Sequence, residues 1–376
     1  EKLNPMFLAY WLRHLAASGE LADLTTGTTI QHLPGVTLAA LRVPHPPVHE
    51  QHRIVATIET QLSRLDAAVA SLTRAKANVK RARASVLKAA VEGRLVPTEA
   101  ALARTEGRDY EPAVTLLARI LVERQAAWTA SGAKGKYKEP VAPETEGLHK
   151  LPEGWCWTSL GHAFAVEVGA TPSRQRADYW GGDVPWASSG EVQFCRIKHT
   201  RESITQAGLA NASTKLHPKG TVLLGMIGQG RTRGQVAILD IEACNNQNCA
   251  AIRVSDAGCV PEYVYAWLEL QYDETRRLGG GNNQQALNKA RVEAILFPLP
   301  PLAEQRRIVA EADRRLSVLD TLDTTLDANL ARCKRLRQSI LKRAFEGQLV
   351  PAEAPHGHTT SKARAPQLPL FEGASG

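Results

Sequence analysis

The chain has 376 residues, of which 43% are hydrophobic and 22% charged, values typical of a globular protein with room for two or three domains. No apolar run approaches the length of about eighteen residues that a transmembrane helix needs, so the composition argues against a membrane protein. Its net charge of +8 is compatible with a polyanionic partner. Six scattered cysteines without a CxxC pair favour free thiols in the cytoplasm over a zinc site.

An internal repeat organises the sequence. The segments 44–100 and 298–354 align without a gap at an offset of 254, and about half of their positions are identical. They also hold the entire charge excess, because the remaining segments balance. A long period with one unit in each half indicates a duplicated domain rather than a solenoid of short repeats.

The first residues match the end of a later domain. The stretch 5–12 resembles 261–268, and both are followed by a glycine and a glutamine at matching places. Residues 1–43 are therefore predicted to be the end of a domain whose complete copy occupies 151–297. The start at Glu1, without an initiator Met, leads us to expect that most of the first copy precedes this sequence.

Each strong repeat, within 44–98 and 298–351, is predicted to form one long helix. Apolar residues recur in steps of three and four, a coiled-coil spacing, with two prolines before the start and a glycine near the end. Charged residues interrupt the seam at Lys76, Arg83, Asp323 and Arg337. The predicted seam residues are Ile58, Leu62, Leu65, Val69, Leu72 and Val79 in the first helix and Leu316, Leu319, Leu326 and Leu330 in the second.

The charge pattern predicts how the two helices pair. Both run from a mildly acidic first half to a strongly basic second half, which also suits the helix dipole. Parallel pairing would place the basic runs side by side, whereas antiparallel pairing places basic halves against acidic ones. We therefore expect an antiparallel coiled coil. The intervening segment 99–150 is predicted to contain a short amphipathic helix at 111–128 and a linker from 131 to 149.

The segment 151–297 is predicted to be an α+β domain with a twisted, mainly antiparallel sheet and a late helix near 261–277. Its four polar loops, 169–176, 228–234, 245–248 and 279–285, carry groups that suit base edges, since Arg can read guanine and Asn or Gln can read adenine. Singly, each loop is more often an ordinary polar turn. The residues predicted to contact DNA are Thr171, Ser173, Arg174, Arg176, Gln229, Arg231, Arg233, Asn245, Asn246, Gln247, Asn282, Asn283, Gln284 and Gln285.

The repeated PxPPxxEQxRIV…LD…KRxRxSxLKxAxEGxLVPxEA helix resembles the conserved spacer regions of type I restriction-modification specificity subunits. The LPEGWCWTSLG, GATPSR, YWGGDVPW, IGQGRTRG and GGGNNQQALN stretches resemble that family's target recognition domain. The resemblance implies that each such domain contacts one half of a split site in double-stranded DNA, and that the helix pair fixes the unread spacer. It further implies two methyltransferase subunits and restriction translocase-nuclease subunits as partners.

The same resemblance implies a chain without catalytic residues, bound metal or bound cofactor. S-adenosylmethionine, ATP and Mg²⁺ are expected on the partner subunits. The sequence offers no methyltransferase motif and no phosphate-binding P-loop that would argue otherwise. A coiled-coil scaffold without sequence-specific DNA reading remains the alternative, although it leaves the domain at 151–297 without a purpose.

The tail 352–376 is expected to be disordered. It contains Gln367-Leu368-Pro369-Leu370-Phe371, which is similar to the short peptide with which bacterial proteins bind the sliding clamp. Pro369 departs from that peptide, so a random apolar tail is the favoured interpretation.

Overall fold

The computed structural model describes residues 2–21, 25, 33–132, 135–228, 231–278 and 286–350. The chain forms two compact units. The first runs to Lys76 and resumes at Thr325, and the second spans Ala77–Thr324, so each long helix contributes to both. Among the described helices, none combines the length and the apolar character needed to cross a membrane.

The helices up to the linker are α1 (Pro5–Ser18), α2 (Gly35–Ala39), α3 (Val48–Val91), α4 (Glu99–Glu106) and α5 (Ala113–Ala130). The domain that follows contains β1 (Cys156–Ser159), α6 (Leu160–Ala163), β2 (Val166–Val168), β3 (Trp180–Ala187), β4 (Cys195–Ile197), β5 (Glu202–Ile204), α7 (Gln206–Asn211), β6 (Val222–Gly225), β7 (Val236–Leu239), β8 (Cys244–Asn245), β9 (Cys249–Ile252), α8 (Pro261–Leu270), α9 (Tyr272–Arg277), α10 (Lys289–Glu293) and β10 (Leu296–Leu299). Helix α11 (Leu302–Phe345) is the second long helix.

Both long helices form as the heptad spacing predicts, and both end in the same way. Each has 44 residues and is followed by a glycine with positive φ, Gly93 at 67° and Gly347 at 72°. Only glycine adopts this left-handed conformation without strain, and it lets the next N–H cap the helix end. The amides of Arg94 and Gln348 accordingly donate to carbonyls five residues earlier.

The antiparallel pairing of α3 and α11 is confirmed within each unit by ion pairs. In the first unit Asp66 pairs with Arg337, and in the second unit Arg83 pairs with Asp320. These are the same pair twice, because the repeat places Asp320 at the position of Asp66 and Arg337 at that of Arg83. Three of the charged residues that interrupt the seam therefore bind the opposite helix, since Lys76 also pairs with Asp327.

The seam residues are withdrawn from solvent to different degrees. Ile58, Leu62 and Leu65 are buried, the first two packing with Phe7 and Tyr10 of α1. A pair of helices alone leaves part of its seam open to water. The half-buried members are Val69, Leu72, Val79, Leu316, Leu319, Leu326 and Leu330.

One buried glutamine joins each long helix to the segment before it. In the first unit the Gln51 side chain accepts from the amide of Asn4 (2.8 Å) and donates to the carbonyl of Pro46 (2.8 Å). In the second unit Gln305, its repeat equivalent, accepts from the amide of Val260 (3.0 Å) and donates to the Pro300 carbonyl (3.0 Å). Both glutamines are fully buried. The EQ pair of the repeat is therefore a structural joint.

The domain between the long helices is α+β, as predicted, but its strands form three sheets instead of one. A five-stranded sheet has the order β2-β9-β6-β7-β4, a three-stranded sheet the order β5-β3-β8, and β1 pairs with β10. Most pairs are antiparallel, and the exceptions are β4 with β7 and β3 with β8. The predicted helix near 261–277 is confirmed with a break at Gln271, between α8 and α9.

The core of this domain extends onto the helices of the same unit. Its largest hydrophobic cluster joins the five-stranded sheet and α8 with Ala90 and Val91 of α3 and Ile308 and Ala312 of α11. The short helix predicted at 111–128 forms as α5, and it buries Leu116 and Ile120 in the same cluster. The five-stranded sheet is thereby held on a broad apolar base.

Candidate nucleic-acid interface

Three of the predicted loops leave the five-stranded sheet at one edge. The last residue of β2, Val168, lies opposite Ala250 near the start of β9, and Cys249 lies opposite Gly225 at the end of β6. Strand β7 begins beside the end of β6. Because these strands are antiparallel, the end of one is next to the beginning of its neighbour. The loops after β2, before β9 and between β6 and β7 therefore emerge together, at an end of the sheet that we call the interface edge.

Main-chain hydrogen bonds tie these segments to one another. The amide of Ala170 donates to the carbonyl of Asn245 (3.1 Å). The amide of Met226, just after β6, donates to the carbonyl of Asn248 (2.8 Å), and its own carbonyl accepts from the amide of Leu287 (3.0 Å). Leu287, which follows the fourth predicted loop in the sequence, therefore lies at the same edge.

Two side chains meet across the first and third loops. The hydroxyl of Thr171 donates to Oε1 of Gln247 at 2.5 Å. Thr171 is half-buried and Gln247 is exposed. Asn246 is buried and its Oδ1 accepts from the amide of Asn248 (3.1 Å), which shapes the turn that presents Gln247.

Asn245 has a different place from the one predicted, because it is fully buried. Its Oδ1 bonds to Nε2 of His217 (2.9 Å), and its Nδ2 donates to the carbonyls of Asn246 (3.1 Å) and Cys249 (2.8 Å). Every polar atom of the carboxamide is thus bound within the protein. As a correction to the prediction, Asn245 supports the loops and presents no group to a base.

The close packing around Asn245 also explains Gly169. A Cβ at residue 169 would lie 1.8 Å from the carbonyl oxygen of Asn245, far inside contact distance. Glycine is therefore required for the first loop to approach the third.

The two predicted arginines of the first loop are exposed and engaged with neighbouring carboxylates. Arg174 pairs through both terminal nitrogens with Glu202 (2.9 Å for Nη2), and its guanidinium stands 3.6 Å from the ring centre of Trp180. Arg176 pairs with Asp178 at 2.7 and 2.8 Å. The ion pair with Arg174 lowers the pKa of Glu202. Exposed ion pairs are weak because water screens the charges, so neither arginine is held strongly by its carboxylate.

The remaining predicted residues divide into three groups. Ser173 is exposed, and its carbonyl accepts from Nε1 of Trp180 (3.1 Å). Arg231 is exposed, and its carbonyl accepts from the Tyr272 hydroxyl (2.7 Å). Arg233 is buried, which removes its side chain from the surface offered to DNA and corrects that prediction. Gln229, Asn282, Asn283, Gln284 and Gln285 lie outside the described residues.

Several residues that shape this edge were not predicted from the sequence. Trp180 and Trp186 pack edge to face at 5.1 Å, and Nε1 of Trp186 donates to the carbonyl of Ala170 (3.0 Å). The YWGGDVPW stretch could have indicated this pair, since two tryptophans so close together in a domain of short strands suggest an aromatic cluster. His217 and Glu202 offered no such signal.

His217 makes the stability of the domain sensitive to pH. Burial lowers its pKa below the ordinary value of 6.5, so the folded state keeps the ring neutral where the unfolded state binds a proton. The free energy of unfolding is therefore expected to decrease as the pH falls below 6.5, by up to about 1.4 kcal/mol per pH unit for this group. In His217→Gln, which keeps a donor for Asn245, the decrease should be shallower in urea titrations at several pH values.

The matched control is His199→Gln, since His199 is exposed in the same domain. This variant should follow the wild-type pH dependence. Equal slopes for His217→Gln and the wild type would contradict the assignment.

Comparison with known proteins agrees with this architecture. Residues 152–331 match the model of the type I restriction modification DNA specificity domain. The specificity subunit of the type I restriction enzyme EcoBI of Escherichia coli is 24% identical over 371 residues, which cover 94% of this chain and 69% of that protein. The MjaIX specificity subunit of Methanocaldococcus jannaschii is 28% identical over 43% of this chain and 38% of its own length.

Solved structures share the fold. One chain has a TM-score of 0.60 at 22% identity, and it comes from a structure that describes complex assembly and conformational transition of the type I R-M system. It is matched over 92% of this chain and 71% of that chain. The HsdS subunit from Thermoanaerobacter tengcongensis has a TM-score of 0.50 at 21% identity, with the same coverage.

These findings define a DNA specificity domain carried on a pair of long helices. Residues 152–331 form a type I restriction modification DNA specificity domain, and the chain is similar over most of its length to a type I specificity subunit. It spans less than half the length of several of the curated relatives that it matches.

Proposed function

We propose that this chain is the DNA-reading, non-catalytic subunit of a type I restriction-modification complex, and that its domain at 151–297 reads one half of a split site. The observation that carries the proposal is the convergence of the polar loops at one edge of the five-stranded sheet. In such an interface phosphate contacts position the protein and base contacts specify the sequence. The helix pair would set the length of the spacer between the two half-sites.

The catalytic work would belong to partners. Methyltransferase subunits would bring S-adenosylmethionine, and restriction translocase-nuclease subunits would bring ATP and Mg²⁺. Exposed apolar residues one helical turn apart on a long helix support such docking, since contiguous apolar patches mark interaction surfaces. In the second unit Val318 is 55% and Leu322 is 47% exposed.

The repeat supports two methyltransferase subunits. In the first unit a groove of about 370 Å³ lies between the long helices and is lined by Leu65, Ala68, Leu336 and Ile340. The repeat places Leu319 at the position of Leu65 and Ile340 at that of Val86, so each unit carries apolar side chains at these places on its helices. Equivalent faces would bind the same partner twice.

A domain exchange tests the proposal. Residues 151–297 are replaced by the corresponding domain of the EcoBI specificity subunit, the chain is co-produced with its methyltransferase subunits, and the methylated motif is determined by sequencing. One half of the motif is expected to change and the other half to remain. The parent chain built through the same junctions is the control.

The alternative of a scaffold without DNA reading makes the opposite prediction. An unchanged motif after the exchange would remove DNA reading from this domain. The same outcome would indicate that the chain acts as a scaffold through its coiled coil.

A further inference from the structure

The contact between Thr171 and Gln247 is distinctive among the loop residues of the interface edge. It joins the loop after β2 to the loop before β9 through side chains, at 2.5 Å between the hydroxyl and Oε1. Gln247 is exposed, whereas Asn245 and Asn246, which precede it in the chain, are buried. The turn therefore exposes the Gln247 carboxamide to solvent, and the Thr171 hydroxyl holds it by a hydrogen bond.

The support beneath this pair is rigid. The Asn245 carbonyl accepts from the amide of Ala170 (3.1 Å) and from the hydroxyl of Thr214 (3.1 Å). The Asn245 carboxamide is bound by His217 and by two carbonyls of its own turn. Three chain segments thus meet on one buried residue, and a fixed base of this kind reduces the entropy lost when Gln247 binds a ligand.

With the Thr171 hydroxyl as the donor, the Gln247 carboxamide keeps one acceptor and one donor for a ligand. Because the hydroxyl donates to Oε1, Nε2 remains the donor, and Oε1 keeps a second lone pair. One acceptor beside one donor matches the N6 amino group and N7 of adenine in the major groove. Guanine presents two acceptors there, and thymine and cytosine present a single polar group each. None of these three bases therefore offers the same pair of bonds as adenine.

We propose that Gln247 reads an adenine in the half-site and that Thr171 is the residue that positions it. The inference rests on the proposed function, because it requires that the domain at 151–297 reads DNA. Thr171 acts through Gln247 and makes no base contact itself.

The experiment measures base preference at every position of the half-site. The chain is combined with its methyltransferase subunits, duplexes with randomised bases are selected for binding, and the enrichment of each base is determined by sequencing. Gln247→Ala is expected to lower the preference for adenine at one position by at least about fivefold and to leave the other positions unchanged. The control Gln193→Ala removes another exposed glutamine of the domain and should change no position.

The role of Thr171 is separated from a merely structural one by two variants. Thr171→Val keeps the shape but lacks the hydroxyl, so it should weaken the preference at the same position as Gln247→Ala. Thr171→Ser keeps the donor and should retain the preference. A uniform loss of affinity at all positions in Thr171→Val would overturn the positioning role.

The outcomes distinguish this inference from the function on which it rests. If the wild-type complex shows no preference within the half-site, the proposed function fails and the inference fails with it. If the wild type reads a half-site and Gln247→Ala reads it equally well, or if the lost preference is for a base other than adenine, the inference alone is overturned.

Discussion

Gly169→Ala is expected to disrupt the interface edge and to abolish half-site reading. The added methyl group would lie 1.8 Å from the carbonyl oxygen and 2.4 Å from the carbonyl carbon of Asn245, and both atoms belong to the backbone. No side-chain rotation can relieve such a clash, so the two loops must separate. Overpacking of this severity lies at the upper end of its usual cost, about 3 kcal/mol.

The measurement combines urea unfolding, followed by tryptophan fluorescence, with the half-site selection described above. Gly190→Ala is the matched control, because a Cβ at residue 190 would have its nearest neighbour, the Ser188 hydroxyl, at 3.7 Å and its φ is not positive. This control should unfold within about 0.5 kcal/mol of the wild type. Wild-type stability and wild-type base preference in Gly169→Ala would show that the loops do not need this close approach.

Glu304→Ala is expected to reduce the stability of the second unit by about 3 kcal/mol, because it leaves two buried donors without an acceptor. The Glu304 carboxylate is fully buried and accepts from the amide of Glu99 (2.8 Å) and from Nε1 of Trp155 (2.9 Å). It therefore joins the start of α11 to the start of α4 and to the opening of the recognition domain. Burial raises the pKa of the Glu304 carboxyl, which indicates how strongly the site is withdrawn from water.

The internal repeat supplies the control for this prediction. Glu50 occupies the position of Glu304 in the first helix but is only half-buried. Glu50→Ala is expected to lower the free energy of unfolding by less than about 1 kcal/mol, since water can reach this site and form hydrogen bonds in place of the carboxylate. Equal losses in the two variants, measured in the same urea titrations, would show that burial of the carboxylate is not the cause.

The long helices could be predicted because their signals are local. A heptad spacing, a double proline and a glycine stop define each helix, and the separation of acidic and basic halves predicts antiparallel pairing. The ion pairs of Asp66 with Arg337 and of Arg83 with Asp320 confirm that the charges act between the helices. The break at Gln271 could not be predicted in the same way, because neither proline nor glycine marks it.

The interface was predicted as loops, and its individual residues could not be ranked from the sequence. Asn245 and Gln247 have similar chemistry and stand two positions apart, yet one is buried and the other exposed. What separates them is the pairing of β8, which ends at Asn245, with β3, together with a histidine 28 residues away in the sequence. Contacts between distant segments leave no trace in a local motif.

The glutamine joint has a consequence for how such chains diversify. Through the hydrogen bonds described above, Gln305 binds the amide of Val260 and the carbonyl of Pro300. Both are main-chain groups: every residue has the carbonyl, and every residue except proline has the amide N–H. These two hydrogen bonds therefore do not depend on the side chains of the domain that Gln305 holds. A gene could exchange one recognition domain for another at this boundary, as long as the new domain also supplies the apolar surface that packs on Ala90, Val91, Ile308 and Ala312.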